Sequence, residues 1–205
     1  MLRLFLCLAL VLSFPKSVVA KKTAKPLFND PKYSEQWYLS SRFFSSIRFD
    51  QAYRKYHKKL KKPLIVAIID SGVDIKHEDL KHAIYINPKE IPENGIDDEN
   101  NGYIDDVYGW NFFSNSNNML DPHGHGTHVA GLVVAKADNN KGIVGLSHHV
   151  KIMPVNFLHE SDRDLFQKRR DPEKTSIYVA EAIRYAVDNG AKIINLSLGG
   201  SSPNA

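Results

Sequence analysis

Hydrophobic and polar positions alternate along this chain in blocks rather than residue by residue. Residues 64–70 (LIVAIID) are a continuous apolar, β-branched run bounded by Pro63 and Gly72. A strand covered on both faces reads this way, because neither set of alternate side chains meets water. Residues 107–113 (VYGWNFF), 150–157 (VKIMPVNF) and 192–198 (KIINLSL) predict three more strands, the last stopped by Gly199 and Gly200. Residues 125–136 (HGTHVAGLVVAK) predict a helix of small and branched residues, buried and closely packed. Residues 176–189 (SIYVAEAIRYAVDN) carry apolar side chains at helical spacing and end at Gly190, a C-terminal cap. A short helix is predicted over residues 50–58, with Asp50 as its N-cap. Residues 86–105 read as a long polar surface loop and 159–174 as a charged one. Strands alternating with helices imply an α/β fold with a doubly wound, mostly parallel sheet.

The two ends differ from this middle. Residues 1–20 have the pattern of a signal peptide, with Arg3 before an apolar core and small residues up to Ala20. That core is too short to span a bilayer, which argues against a membrane anchor. Residues 21–63 form an N-terminal arm, with Phe28, Tyr33, Trp37, Tyr38, Phe43 and Phe44 as aromatic anchors onto the domain that fills residues 64–205.

Composition narrows the class without changing it. The 205 residues, 42% hydrophobic and 24% charged, suit one domain with a real core. The formal charge is +4, and loss of Arg3 and Lys16 with the leader leaves +2, too little to argue for nucleic acid. The basic run at residues 55–62 reads as a solvated helix end and linker rather than a polyanion site. Cys7, the single cysteine, falls inside the leader. Export then brings no disulfide, and stability rests on the core and on bound metal ions.

In doubly wound sheets, ligands gather at the carboxyl ends of the strands. Asp70 ends the first strand. On its own, such an aspartate also marks metal sites, nucleotide sites and plain turn caps. His125 adds the missing partner. It opens the buried helix between Gly124 and Gly126, where a substrate backbone can come close. A general base needs that access and an acid to fix its tautomer. Asp70 can accept from Nδ1–H of His125, leaving Nε2 to take a proton from a hydroxyl. The histidines also invite a zinc reading through His123, His125 and His128. Against it, residues 77–82 (HEDLKH) have the wrong spacing for a metalloprotease helix, and His128 reads as a satisfied structural histidine on the buried helix.

Asp70-Ser-Gly-Val-Asp74, followed by His77-Glu-Asp-Leu80, resembles the aspartate box of the subtilisin-like serine proteases. His125-Gly-Thr-His-Val-Ala-Gly131 resembles their histidine box, whose first histidine is catalytic. Tyr108-Gly-Trp-Asn-Phe112, Gly142-Ile-Val-Gly145 and Asn195-Leu-Ser-Leu-Gly-Gly200 are similar to family segments in the family's order. The resemblance implies a subtilisin-type sheet, incomplete on its C-terminal side, and a serine endopeptidase acting on polypeptides. It further implies that Ser197, Leu198 and Gly199 pair with the substrate backbone. An ordinary strand end is the bland alternative for these three.

Two calcium sites are expected. Asp97, Glu99, Asn101 and Asp105 stand at positions one, three, five and nine of an EF-hand-like loop, with Gly102 at six and the carbonyl of Tyr103 at seven. Tyr108 replaces the bidentate glutamate at twelve, so the alternative is a solvated acidic loop. The second site, Asp79 and Asn139 with Gln36, is implied by the resemblance alone.

The chain departs from the family in one respect. The family serine lies in a Gly-Thr-Ser segment, and no Gly-Thr-Ser occurs in these 205 residues. The expectation is a serine endopeptidase interrupted by a frameshift, an assembly boundary or a split gene: inactive alone, and either poorly soluble at its last strand or rescued by a C-terminal half, which a split gene would encode separately. The competing expectation is a non-catalytic module that binds peptides or calcium.

Overall fold

A computed structural model of the chain describes residues 26–59, 62–158 and 172–198. The expected leader, residues 159–171 of the expected charged loop and Gly199 therefore lie outside the described residues. Four strands form one parallel sheet: β1 (Leu64–Asp70), β2 (Trp110–Asn111), β3 (Val150–Asn156) and β4 (Ile193–Asn195), in the order β2-β3-β1-β4. Among the described residues three α-helices accompany them: α1 (Phe49–Tyr56), α2 (His125–Val134) and α3 (Pro172–Asp188).

The apolar run of β1 explains the layering. Successive strand side chains point to opposite faces. Val66 and Ile68 pack with Val129, Ala130 and Val134 of α2, while Ala67 and Ile69 pack with Ala182, Tyr185 and Ala186 of α3. Both faces of the strand are thus dry, and residues 66–70 are all buried. β1 pairs with β3 along its whole length and with β4 over Val66–Ile68. The chain therefore leaves β1 toward opposite sides of the sheet, and the carboxyl end of β1 becomes the switch point where such sheets hold ligands.

Several boundaries differ from expectation for local reasons. β2 shrinks to two residues because the Asn111 carboxamide accepts from the amides of Phe113 and Ser114 and turns the chain. β4 stops at Asn195, where its pairing with β1 ends opposite Ile68. α3 begins at Pro172, earlier than the apolar spacing suggested. Proline suits a first helical turn because its missing N–H would have no partner there. Asp50 does not cap α1. Arg48 occupies that position, and the Asp50 carboxylate instead accepts from the amide and hydroxyl of Ser41. His128 is exposed, so the buried structural role read for it from the sequence is withdrawn.

The arm docks, but not through all of its aromatic residues. Phe28, Leu39 and Phe49 bury against Val144, joined by Tyr33 and Tyr38. Gln36 forms a two-pronged bond with the backbone of Val144: Nε2 donates to its carbonyl at 3.0 Å, and Oε1 accepts from its amide at 2.8 Å. Trp37 and Phe43 are exposed, and Phe44 is 98% exposed.

This packing predicts an asymmetric response to truncation. Leu39→Ala, at a fully buried position, should destabilise the chain by about 3 kcal/mol in urea unfolding. Phe44→Ala should stay within about 0.5 kcal/mol. Equal effects would mean that the arm does not dock.

Candidate active site

Asp70 is the last residue of β1 and is 1% exposed as a side chain. Its Oδ1 lies 2.7 Å from Nδ1 of His125, the first residue of α2. The same Oδ1 accepts from the amide of Ser71 at 2.8 Å. Oδ2 is buried with no partner among the described residues. The charge is thus directed at one imidazole and one amide. The His125 side chain remains 32% exposed, so the ring has one edge on a buried acid and another open to solvent.

Two glycines permit this approach. A Cβ on Gly126 would be driven into the carbonyl oxygen of Gly72. Gly72 itself has a φ of +109°, and a Cβ there would stand 2.6 Å from the carbonyl of Leu120. A larger residue at Gly126 would hold α2 away from the end of β1, and one at Gly72 would push off the Met119–Leu120 backbone that leads toward α2.

A second aspartate fixes the geometry. Asp121 accepts from the Ser71 hydroxyl at 2.8 Å, the Gly124 amide at 2.8 Å, and the amide and hydroxyl of Thr127 at 2.8 and 2.6 Å. The Ser71 hydroxyl in turn accepts from the Gly126 amide at 3.0 Å. One carboxylate therefore ties the start of α2 to the residue after Asp70. Sequence reasoning missed Ser71 and Asp121. The available signal was Asp121-Pro122, a turn-opening pair just before a helix.

The arrangement can hold an imidazole in one tautomer, with Nδ1–H donated to Asp70 and Nε2 free to accept a proton. Ser197 and Leu198 lie beyond the end of β4 and are exposed, with the Ser197 hydroxyl donating to the Asn195 carboxamide at 2.8 Å.

The expected calcium ligands divide. Asn139 Nδ2 donates to Asp79 Oδ1 at 2.6 Å, so these two residues meet. Gln36 gives its amide to Val144 in the same stretch of chain. The EF-hand-like set does not converge. Asp97 accepts from the amides of Asn101 and Gly102. The Asn101 oxygen accepts from the amide of Tyr103. Asp105 turns away to the amides of Asn94 and Gly95. Glu99 alone joins a carboxylate group, and its companions are Glu90 and Asp106. Neither was singled out from the sequence, because a loop that polar reads as solvated, whereas Asn87, Glu90 and Asp106 are buried.

Burial pushes the Asp106 carboxyl up despite hydrogen bonds from Tyr185 and Asn87. Burial, then the charge of Asp106, does the same to Glu90. Burial also raises Glu99, but hydrogen bonds from Asn87 and Lys89 outweigh it and hold that group low.

A family model described as the subtilase family matches residues 61–205. Over 182 residues the chain is 33% identical to the cell wall-associated protease of Bacillus subtilis, covering 86% of this chain and 17% of that protein. It is 39% identical over 134 residues to subtilisin-like protease 1 of Plasmodium falciparum, covering 65% and 19% respectively. The chain thus spans about a fifth of the length of these relatives. Among solved structures, a protease from Pseudoalteromonas arctica superposes with a TM-score of 0.58 at 22% identity, over 88% of this chain and 53% of that one. At that identity the likeness concerns the fold.

The glycine argument yields a paired test within one helix. Gly126→Ala should cost about 3 kcal/mol through overpacking. Gly131→Ala, whose nearest neighbour would be the Ile143 methyl at 3.9 Å, should be neutral or stabilising by up to about 1 kcal/mol. Urea unfolding of the two variants checks this, and a tolerated Gly126→Ala would contradict the close approach.

Proposed function

This chain belongs to the subtilase family, and we propose on that premise that it supplies the acid–base half of a serine endopeptidase site. His125 is the general base and Asp70 the acid that orients it. The 2.7 Å contact between His125 Nδ1 and the buried Asp70 Oδ1 carries the reading. The substrate is polypeptide, accepted against the backbone of Ser197, Leu198 and Gly199. The nucleophile is a serine in a Gly-Thr-Ser segment, which these 205 residues do not contain. The chain alone is therefore inactive, and its working partner is the polypeptide segment that bears that serine, continuous with it or separately encoded.

Calcium belongs to the same reading at Asp79 and Asn139, with Gln36 nearby. The donors are oxygens of a buried carboxylate and of carboxamides, the chemistry calcium takes. An ion there would fasten the arm to the stretch that holds Asn139. Export is supported by the leader-like pattern of residues 1–20. It is supported also by a relative named for the cell wall.

A fluorophosphonate probe, which labels activated serines, tests the proposal. The 205-residue chain should remain unlabelled. A chain extended with a family Gly-Thr-Ser segment should be labelled and hydrolyse casein. In that chain His125→Ala should lower kcat by about 10⁶ and Asp70→Ala by about 10⁴, the losses known for the corresponding residues of subtilisin. Specific labelling of the 205-residue chain, or full activity of the extended His125→Ala variant, would overturn the assignment.

A further inference from the structure

The N-terminal arm carries a loop that the protease reading does not use. Leu39 and Phe49 are buried anchors, and between them the chain leaves the domain and returns. The Ile47 amide donates to the Tyr38 carbonyl at 2.8 Å and closes the loop. The Asp50 carboxylate accepts from the amide and hydroxyl of Ser41 at 3.0 and 2.8 Å and ties the loop base to α1. Inside the loop, the Phe43 amide donates to the Ser40 carbonyl and the Ser46 amide to the Phe43 carbonyl. The loop is thus preformed, yet its apolar side chains stay outside. Phe43 is 50% exposed, Phe44 98% and Ile47 59%. Trp37, itself 49% exposed, meets the Phe43 ring edge-on with centroids 6.2 Å apart.

Cations accompany this apolar tip. Residues 37–59 hold six lysines and arginines against one carboxylate, and that carboxylate, Asp50, is taken by Ser41. Arg42 and Arg48 flank the tip, while Arg54, Lys55, Lys58 and Lys59 lie on α1 or just past it. All six are exposed. Among the described residues none of them forms an ion pair. Loop and helix share one field: burial and Asp50 raise the pKa of the Tyr33 hydroxyl, and Arg54 and Arg42 both pull it back. Lys55 and Lys59 stand over the exposed Tyr56 ring, at 5.1 and 5.7 Å. Exposed aromatic rings beside cations without ion pairs are the chemistry that settles where lipid headgroups meet acyl chains.

We propose that this loop docks the protein on an anionic lipid surface, with Phe43, Phe44 and Ile47 entering the headgroup–acyl boundary and Arg42, Arg48 and the cations of α1 facing lipid phosphates. Burial of the three apolar side chains supplies attraction that does not depend on charge. The cations add attraction to negative headgroups. The shape favours lipid over a protein partner. A ring as free as Phe44 would need a deep pocket on a folded partner, whereas a lipid boundary closes around it. The loop rests on the surface and does not cross it, since it is far too short to span a bilayer. The basic run past α1 then gains a role beyond solvation. The proposal stands independently of the catalytic reading, because Asp70 and His125 take no part in it.

Tryptophan fluorescence with vesicles tests this. The chain has two tryptophans, and Trp110 is buried, so a change on binding reports Trp37. Vesicles of equal parts phosphatidylglycerol and phosphatidylcholine should shift the emission of the 205-residue chain to the blue. Phosphatidylcholine vesicles should bind far more weakly, and added salt should weaken the anionic case. Phe43→Ser with Phe44→Ser should reduce binding by about tenfold or more at unchanged urea stability, because both rings are exposed. Arg42→Gln and Arg54→Gln should each reduce it about fivefold. Adhesion through residues 1–20, which contain no tryptophan, would leave the emission unshifted and the double variant undiminished. Either result would overturn the proposal, as would equal binding to the two kinds of vesicle. A chain extended with the Gly-Thr-Ser segment should respond in the same way. Emission there that is already blue and unmoved by vesicles would mean that the rest of the protein covers the loop, and would also overturn it.

Discussion

The contact between Asp70 and His125 rests on one constraint: a buried parallel strand must end in a carboxylate exactly where a helix can touch it without a side chain in between. β1 provides the first half. Its apolar residues are covered by α2 on one face and α3 on the other, so the strand end is rigid and dry. Gly72 and Gly126 provide the second half by removing the Cβ atoms that would separate backbone from backbone. Low polarity around Asp70 strengthens its attraction for the imidazole. Asp121 then holds the assembly, because it binds the start of α2 and the Ser71 hydroxyl at once.

Polar groups elsewhere follow the same economy of short connections. Asp30 is buried and accepts from the amides of Asp138 and Asn139. Gln36 pairs with both backbone groups of Val144. The arm is thus stitched to the stretch that carries Asn139, and Asn139 reaches Asp79. On the other side of the sheet, Asp106 receives the Tyr185 hydroxyl and joins the 87–106 stretch to α3. Burial and the nearby Asp106 push that hydroxyl's pKa upward, so it stays protonated and remains a donor. These carboxylates lie where a loop must be fastened to the core.

Legibility in the sequence followed the strength of the physical signal. β1 was readable because six continuous apolar or β-branched positions admit few alternatives once proline and glycine bound them. The parallel sheet followed from the alternation of strands with helices. The Asp70–His125 pair was readable because strand-end acid, glycine and helix-start histidine make chemical sense only together. β2 and β4 were overextended because apolar content persists after pairing stops: Phe112 is buried without strand geometry, and Leu198 is exposed. Phe43 and Phe44 misled because an aromatic residue in an arm is as free to face water as to dock. Glu90 and Asp106 were hidden because burial of a polar loop depends on tertiary partners such as Tyr185, some 80 residues away in sequence.

The central claim is that Asp70 sets the protonation pattern of His125. Nitrogen-15 NMR of the imidazole, at a pH where the ring is neutral, reads that pattern directly. The account predicts a ring protonated at Nδ1 and bare at Nε2, and loss of that preference in Asp70→Asn. A neutral ring protonated mainly at Nε2, or a spectrum indifferent to Asp70→Asn, would contradict it.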